Sequence, residues 1–177
     1  MRTTISGVCE VKHVVGIAEF IVSNQPGDIL ITYALGSCLG ITIYDPVAQV
    51  GGLLHVMLPL SSVSPEKAKE KPAMFVDTGV PLLFKESYKL GAKKERIWVA
   101  VSGGASLRKG EQDCFEIGKR NILMLRKLLW RNGVLIKAED TGGVNSRNMS
   151  LEIGTGRVTV FSYNGEKGKE ERVYECR

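Results

Sequence analysis

The 177-residue chain is poor in the side chains that hold metals, with two histidines and four cysteines. Cys9, Cys38, Cys114 and Cys176 stand apart, without the C-x-x-C spacing of a zinc site, so no metal centre is expected. Isolated thiols in a chain of this size fit a reducing, cytoplasmic location better than a disulfide framework. Long apolar runs are missing too. None approaches the ~20 residues of a membrane-spanning helix, and the first twenty residues hold no stretch of signal-peptide length. No direct membrane insertion is therefore expected. Neither the Walker pattern nor the dinucleotide fingerprint occurs, so Gly103-Gly104 and Gly142-Gly143 read as turns lining a cleft. No repeat of solenoid period is present. Aromatic residues are only 7% of the chain and do not interleave with the basic ones. The net charge of +5 is scattered over several segments, which reads as a solvated surface and not as a nucleic-acid interface.

Apolar residues make up 44% of the chain, enough for the core of one ordinary domain. Residues 1–13 form a polar lead-in, expected as a flexible extension ahead of a single domain over 14–177. Strands are expected over 14–22, 29–35, 39–44 and 50–58. An exposed loop follows over 60–71. Asp77-Thr78 can cap a helix that Gly91 ends, with Pro81 in its first turn. A buried strand follows over 96–101. The spacing of Ile117, Ile122, Leu125, Leu128 and Leu129 predicts a helix over 117–132, closed by Gly133. Val134–Ala138 reads as a strand and Asp140–Gly143 as a turn. A hairpin through Gly154-Thr155-Gly156 joins 149–153 to 158–163, and a last short strand is expected over 172–175. Hairpins outnumber βα alternations, so the fold class is α+β, with antiparallel or mixed sheets and helices packed outside.

Two residues carry the chemistry. Cys38 ends the bend Leu35-Gly36-Ser37-Cys38, and His55 sits in the apolar run Leu53–Pro59. The hairpin between them turns at Asp45-Pro46. Pairing Tyr44 with Val50 puts Leu39 opposite His55 and Cys38 opposite Val56, and a slip of one residue keeps thiol and imidazole neighbours. A thiol beside an imidazole is a nucleophile beside its base, and such pairing can lower the thiol pKa. Taken singly, Cys38 fits a buried structural cysteine equally well, and His55 alone fits a satisfied core residue better. Glycines flank the turn of Cys38, where a sharp bend can expose a nucleophile and aim backbone N–H groups at an oxyanion, and with Cys38 across the hairpin His55 reads better as a base than as a core residue. The base needs an orienting partner, with Thr32, Ser37, Asp77 and Asp140 as candidates. Thr32 on local evidence is an ordinary strand residue. His13 has no evident partner and reads as surface.

The ordered set Leu35-Gly36-Ser37-Cys38, Tyr44-Asp45-Pro46, His55-Val56-Met57-Leu58-Pro59, Asp77-Thr78, Gly103-Gly104-Ala105-Ser106 and Glu139-Asp140-Thr141-Gly142-Gly143 resembles the CheD family of chemoreceptor glutamine deamidases. The resemblance runs from about Val14 to Tyr163. It implies a Cys–His–Thr triad on Cys38, His55 and Thr32, the last orienting the imidazole. It also implies a layered α/β/β fold similar to the catalytic domain of the cytotoxic necrotizing factor toxins. The implied reaction is hydrolysis of glutamine side chains to glutamate in the cytoplasmic helices of chemoreceptors, through a thioester and without metal or cofactor. Backbone N–H groups of Gly36, Ser37 and Leu39 are the expected oxyanion and substrate-binding groups. Chemoreceptors are the implied partners, with a CheC-type phosphatase as a possible regulator, and nothing demands more than a monomer. The segment Leu107-Arg108-Lys109-Gly110 is more basic than the edge that relatives present to that phosphatase. The competing reading is a non-catalytic adaptor that binds receptors or the phosphatase.

Overall fold

A computed structural model describes residues 4–5, 8–106, 116–164 and 168–175. Two short strands, β1 (Thr4–Ile5) and β2 (Val8–Cys9), pair with each other. The order then runs β3 (Val11–Val14), β4 (Glu19–Ser23), β5 (Asp28–Leu35), β6 (Leu39–Asp45), β7 (Val50–Val56), α1 (Pro65–Glu70), α2 (Val76–Lys89), β8 (Trp98–Gly103), α3 (Ile117–Arg131), β9 (Ile136–Thr141), β10 (Arg147–Glu152), β11 (Val158–Asn164) and β12 (Gly168–Tyr174).

The strands form two five-stranded mixed sheets, ordered β4-β7-β6-β8-β9 and β12-β11-β10-β5-β3. Only β8 with β9 and β3 with β5 run parallel. Every residue of β6 and β7 is buried, because both faces of the first sheet are covered. On one face Leu39, Ile41, Ile43, Leu54 and Val56 meet Val80 and Leu83 of α2 and Leu125 and Leu129 of α3. On the other, Tyr44, Leu53 and Ala100 meet Leu30, Met149, Leu151 and Val160 of the second sheet. The result is an α+β fold with three layers, helices on sheet on sheet. No helix of the described residues is long and apolar enough to cross a membrane.

The helix expected over 117–132 runs over Ile117–Arg131, with Asn132 at its end and Gly133 at φ +64°. The hairpin through Gly154-Thr155-Gly156 is also present, with Leu151 paired to Val158. Several boundaries differ. The lead-in is not featureless, since Val11–Val14 adds a parallel strand beside β5. Its His13 meets Asp28 at 2.9 Å and does not stand alone. The loop over 60–71 contains a 3-10 turn and the six-residue α1, formed on an exposed surface. Helix α2 starts at Val76 with Phe75 at its N-cap, so Pro81 lies beyond the first turn and Asp77 caps nothing. The Asp77 carboxylate instead accepts from the Ser61 backbone N–H and hydroxyl. Asp140 and Thr141, expected in a turn, extend β9.

Candidate active site

The first sheet and the second sheet meet at one end of their strands, where β5, β7 and β8 finish and β6 begins. Asp45 accepts hydrogen bonds from the N–H groups of Val47 and Ala48 (3.0 and 3.2 Å), and Arg96 clamps the same carboxylate. Asp45 thereby stays in the ladder and pairs with Val50, which places Tyr44 opposite Gly51 and Gly40 opposite His55. This is one residue away from the expected register. The correction matters, because a one-residue slip exchanges the faces of a strand. With Leu39 opposite His55, Cys38 would point to the helices. In the observed register Gly40 and His55 share a face, and Cys38, two residues before Gly40, shares it too. Cys38 packs against the cluster between the sheets, on the face that also holds Leu53 and therefore His55. The two side chains occupy diagonal positions, for which Cα atoms lie about 7–8 Å apart and Cβ atoms less.

His55 is 1% exposed and Thr32 is fully buried. The Thr32 hydroxyl lies 2.8 Å from His55 Nδ1 and 2.8 Å from the Val15 carbonyl oxygen. A hydroxyl has one hydrogen, and a carbonyl can only accept. The Thr32 O–H therefore donates to Val15 and its oxygen accepts from Nδ1–H. That assignment leaves Nε2 as the bare, basic nitrogen, and Nε2 has no hydrogen-bond partner among the described residues. Burial pushes the His55 pKa below its ordinary value, which keeps the ring neutral. Burial likewise pushes the Cys38 thiol up, opposed by its own backbone N–H. Sequence reasoning expected a lowered thiol. The surroundings instead favour a neutral thiol and a neutral imidazole on the same face of the sheet.

The bend that carries Cys38 is held by three successive carbonyls. Gly36 O accepts from Ala105 N–H at 2.8 Å, and Cys38 O accepts from Gly104 N–H at 2.8 Å. Ser37 O accepts from the Asn121 side-chain amide at 3.0 Å. Gly103 and Gly104, read from sequence as a turn at the cleft, thus support the bend that carries Cys38. Gly103 has φ +110°, and a Cβ there would overlap the Cys38 carbonyl oxygen, so no other residue fits. Gly142 and Gly143 bond to the same segment through Gly103 O and Ser106 N–H, both at 2.8–2.9 Å.

Among the candidate partners of the imidazole, Thr32 is the one in contact. Asp77 is engaged with Ser61, and Asp140 forms a buried ion pair with Arg147 at 3.1 Å. Ser37 is exposed in the bend. Gly36, Ser37 and Leu39 surround the thiol in sequence; Leu39 N–H, in the same peptide as the Cys38 carbonyl, points away from β8 and into the β7 side of the ladder. Two participants escaped sequence reasoning. The Val15 carbonyl has no side-chain signature. Asn121 has one, being the polar residue on the buried stripe of α3 between Gly118 and Leu125. No group of three His, Cys, Asp or Glu side chains among the described residues could hold a metal. Cys114, Cys176 and the basic segment 107–110 lie outside the described residues, and Cys9 lies in β2.

Comparison with known proteins identifies the family. The family described as CheD chemotactic sensory transduction matches residues 57–162. The chain is 55% identical over 152 residues to the probable chemoreceptor glutamine deamidase CheD 1 of Syntrophus aciditrophicus, covering 86% of this chain and 94% of that protein. It is 46% identical over 160 residues to the probable chemoreceptor glutamine deamidase CheD of Solibacter usitatus, covering 90% and 92%. The protein of the same name from Pyrococcus abyssi is 43% identical over 161 residues, covering 90% and 96%. The family match over 57–162 takes in α2, β8, α3, β9 and β10, and with relatives 43–55% identical over most of its length the chain belongs to the CheD family.

Proposed function

We propose that this chain is a hydrolase that deamidates glutamine side chains on the cytoplasmic helices of chemoreceptors, with Cys38 as nucleophile, His55 as base and acid, and Thr32 as orienting residue. The observation that carries this reading is the hydrogen bond from His55 Nδ1 to Thr32, which leaves Nε2 bare on the sheet face shared with Cys38. Binding alone has no use for a neutral imidazole of defined tautomer beside a thiol.

In the reaction, Nε2 takes the thiol proton as sulfur attacks the carboxamide carbon. The carbonyl π electrons move to oxygen, and backbone N–H groups of the Cys38 bend stabilise the resulting oxyanion. The imidazolium, whose Nδ1–H still bonds to Thr32, returns its proton to the nitrogen. The C–N bond breaks, ammonia leaves, and a thioester remains. Water then gives a proton to Nε2 as its oxygen attacks the thioester carbon. The C–S bond breaks, the thiol recovers its proton, and glutamate is released. Thr32, Cys38 and His55 come from one chain, so a monomer suffices. The thiol is half-buried, and Ile17 and Met57, in the segments flanking His55 and its cover, are exposed. A side chain projecting from a helix surface fits such a shallow site.

The test is to incubate the purified chain with a receptor cytoplasmic fragment and follow the mass of its peptides. Glutamine should become glutamate with release of ammonia, and Cys38→Ala should abolish the change. A wild-type chain that leaves every glutamine intact across several receptors would refute the reading and favour a receptor-binding adaptor.

A further inference from the structure

Asn121 is fully buried in α3, yet it is not an apolar residue completing the stripe of Leu125 and Leu129. Its side-chain nitrogen donates to two carbonyls at 3.0 Å each, Ser37 O before the nucleophile and Met57 O after the base. An amide oxygen would be repelled by both, so the orientation of the group is fixed. Its own oxygen has no partner among the described residues, a desolvation cost that a purely structural residue would avoid. The backbone ladder of β6 and β7 ends at Leu39 with Val56. Asn121 therefore bridges the two chains one step beyond the last pair, where Cys38 leaves the sheet.

The bridge also sets a direction. No peptide in the described chain is cis, and in a trans peptide the C=O and the N–H point opposite ways. Ser37 O points to α3, on the helix side of the first sheet. The N–H of Cys38, in the same peptide, must point to the other side, where the Cys38 side chain packs. The first turn of α3 is seated firmly enough to act as this support. A Cβ at Gly118 would lie 2.5 Å from Gly104 O and 2.6 Å from Ala105 O, so only glycine lets the helix approach the strands that hold the bend.

Resting on the deamidase reading, we propose that Asn121 is a positioning residue for the reaction: it holds the Ser37–Cys38 peptide so that the Cys38 N–H is the oxyanion donor, and it ties that peptide to the strand end that carries His55. The donor is thus fixed by a side chain from another layer and not by the bend alone.

Asn121→Ala and Asn121→Leu, the second filling the apolar stripe, should lower kcat by about 100- to 1,000-fold, the usual loss of one oxyanion donor. KM and the rate at which iodoacetamide alkylates Cys38 should stay within about threefold, because alkylation forms no oxyanion. A folded variant with unchanged kcat overturns the proposal. So does a loss of alkylation equal to the loss of kcat, which would mean that the thiol itself had moved. A second measurement needs no variant. Butanal adds to the thiol to give a hemithioacetal, with an S–C bond formed and the proton passed to the aldehyde oxygen. In the wild-type chain the Cys38 amide proton should then move downfield while that of Leu39 does not, and an unmoved Cys38 resonance overturns the assignment. The two readings separate: a wild-type chain that converts no glutamine defeats the deamidase reading, whereas the butanal shift reports on the N–H alone.

Discussion

Replacing Thr32 by valine keeps the branched shape and removes the hydroxyl that joins His55 to Val15. In the wild type, the productive tautomer makes two buried hydrogen bonds, Nδ1–H to Thr32 and Thr32 to Val15. The other tautomer must turn the hydroxyl toward Nδ1 and abandon the Val15 carbonyl. One unpaired buried group costs about 1–3 kcal/mol, a bias of about 5- to 150-fold toward the productive form. With valine, Nδ1–H loses its acceptor, and an Nε2–H would be buried without a partner too. The bias toward the productive form is then lost. The imidazolium formed during attack suffers further, since its Nδ1–H has nothing to bond. Thr32→Val should lower kcat by about 10- to 100-fold with little change in KM, and Thr32→Ser should recover most of it. The unpaired Val15 carbonyl should also reduce Tm by a few degrees, at about 2–4 °C per kcal/mol for a chain of this size. Deamidation of a receptor fragment, read by mass, gives the rates, and imidazole 15N shifts give the tautomer directly. A folded Thr32→Val that retains full kcat, or a wild-type spectrum with the proton on Nε2, would refute the reasoning.

Cys38→Ala should lose all turnover while melting within a few degrees of wild type, as measured by circular dichroism. The pH profile of kcat/KM should be broad: activity needs a neutral imidazole and an available thiol proton, so the acid limb should lie below the ordinary histidine value of 6.5 and the alkaline limb above 9.0. Stability carries the same signs. The depressed His55 pKa favours the fold above 6.5, and that contribution is lost as pH falls from 6.5 through the folded-state value, visible as acid-side loss in urea titrations that His55→Gln flattens. Arg147→Met takes away the buried partner of Asp140 and leaves it with Arg172 at 3.6 Å, which should destabilise the chain by about 1–3 kcal/mol in chemical denaturation.

Much of the fold was legible because local signals and the final environment agree. The stripe of α3 follows helical spacing and packs as written, and Asp45-Pro46 turns the hairpin where its chemistry says it should. The register of that hairpin was not legible. β6 and β7 are buried on both faces, so their sequences do not alternate between apolar and polar and offer nothing to choose between neighbouring pairings. The deciding contact is Arg96 on Asp45, fifty-one residues away in the chain. Cys38 and His55 could be named from their hairpin, since proximity there is local. Thr32 reached the candidate site through the family resemblance, because its value rests on a carbonyl at Val15 that any residue would supply. Asp77 and Asp140 looked equally suitable as acidic partners until the structure showed Ser61 and Arg147 already engaging them.

His55 hangs from one sheet and Thr32 from the other, so the proposed catalytic centre is a seam between two slabs. A slide of one slab past the other by a fraction of the strand spacing would part Thr32 from His55 while leaving every ladder intact. Such a shear would silence the chemistry without unfolding anything, and a protein gripping either outer surface would have leverage over it.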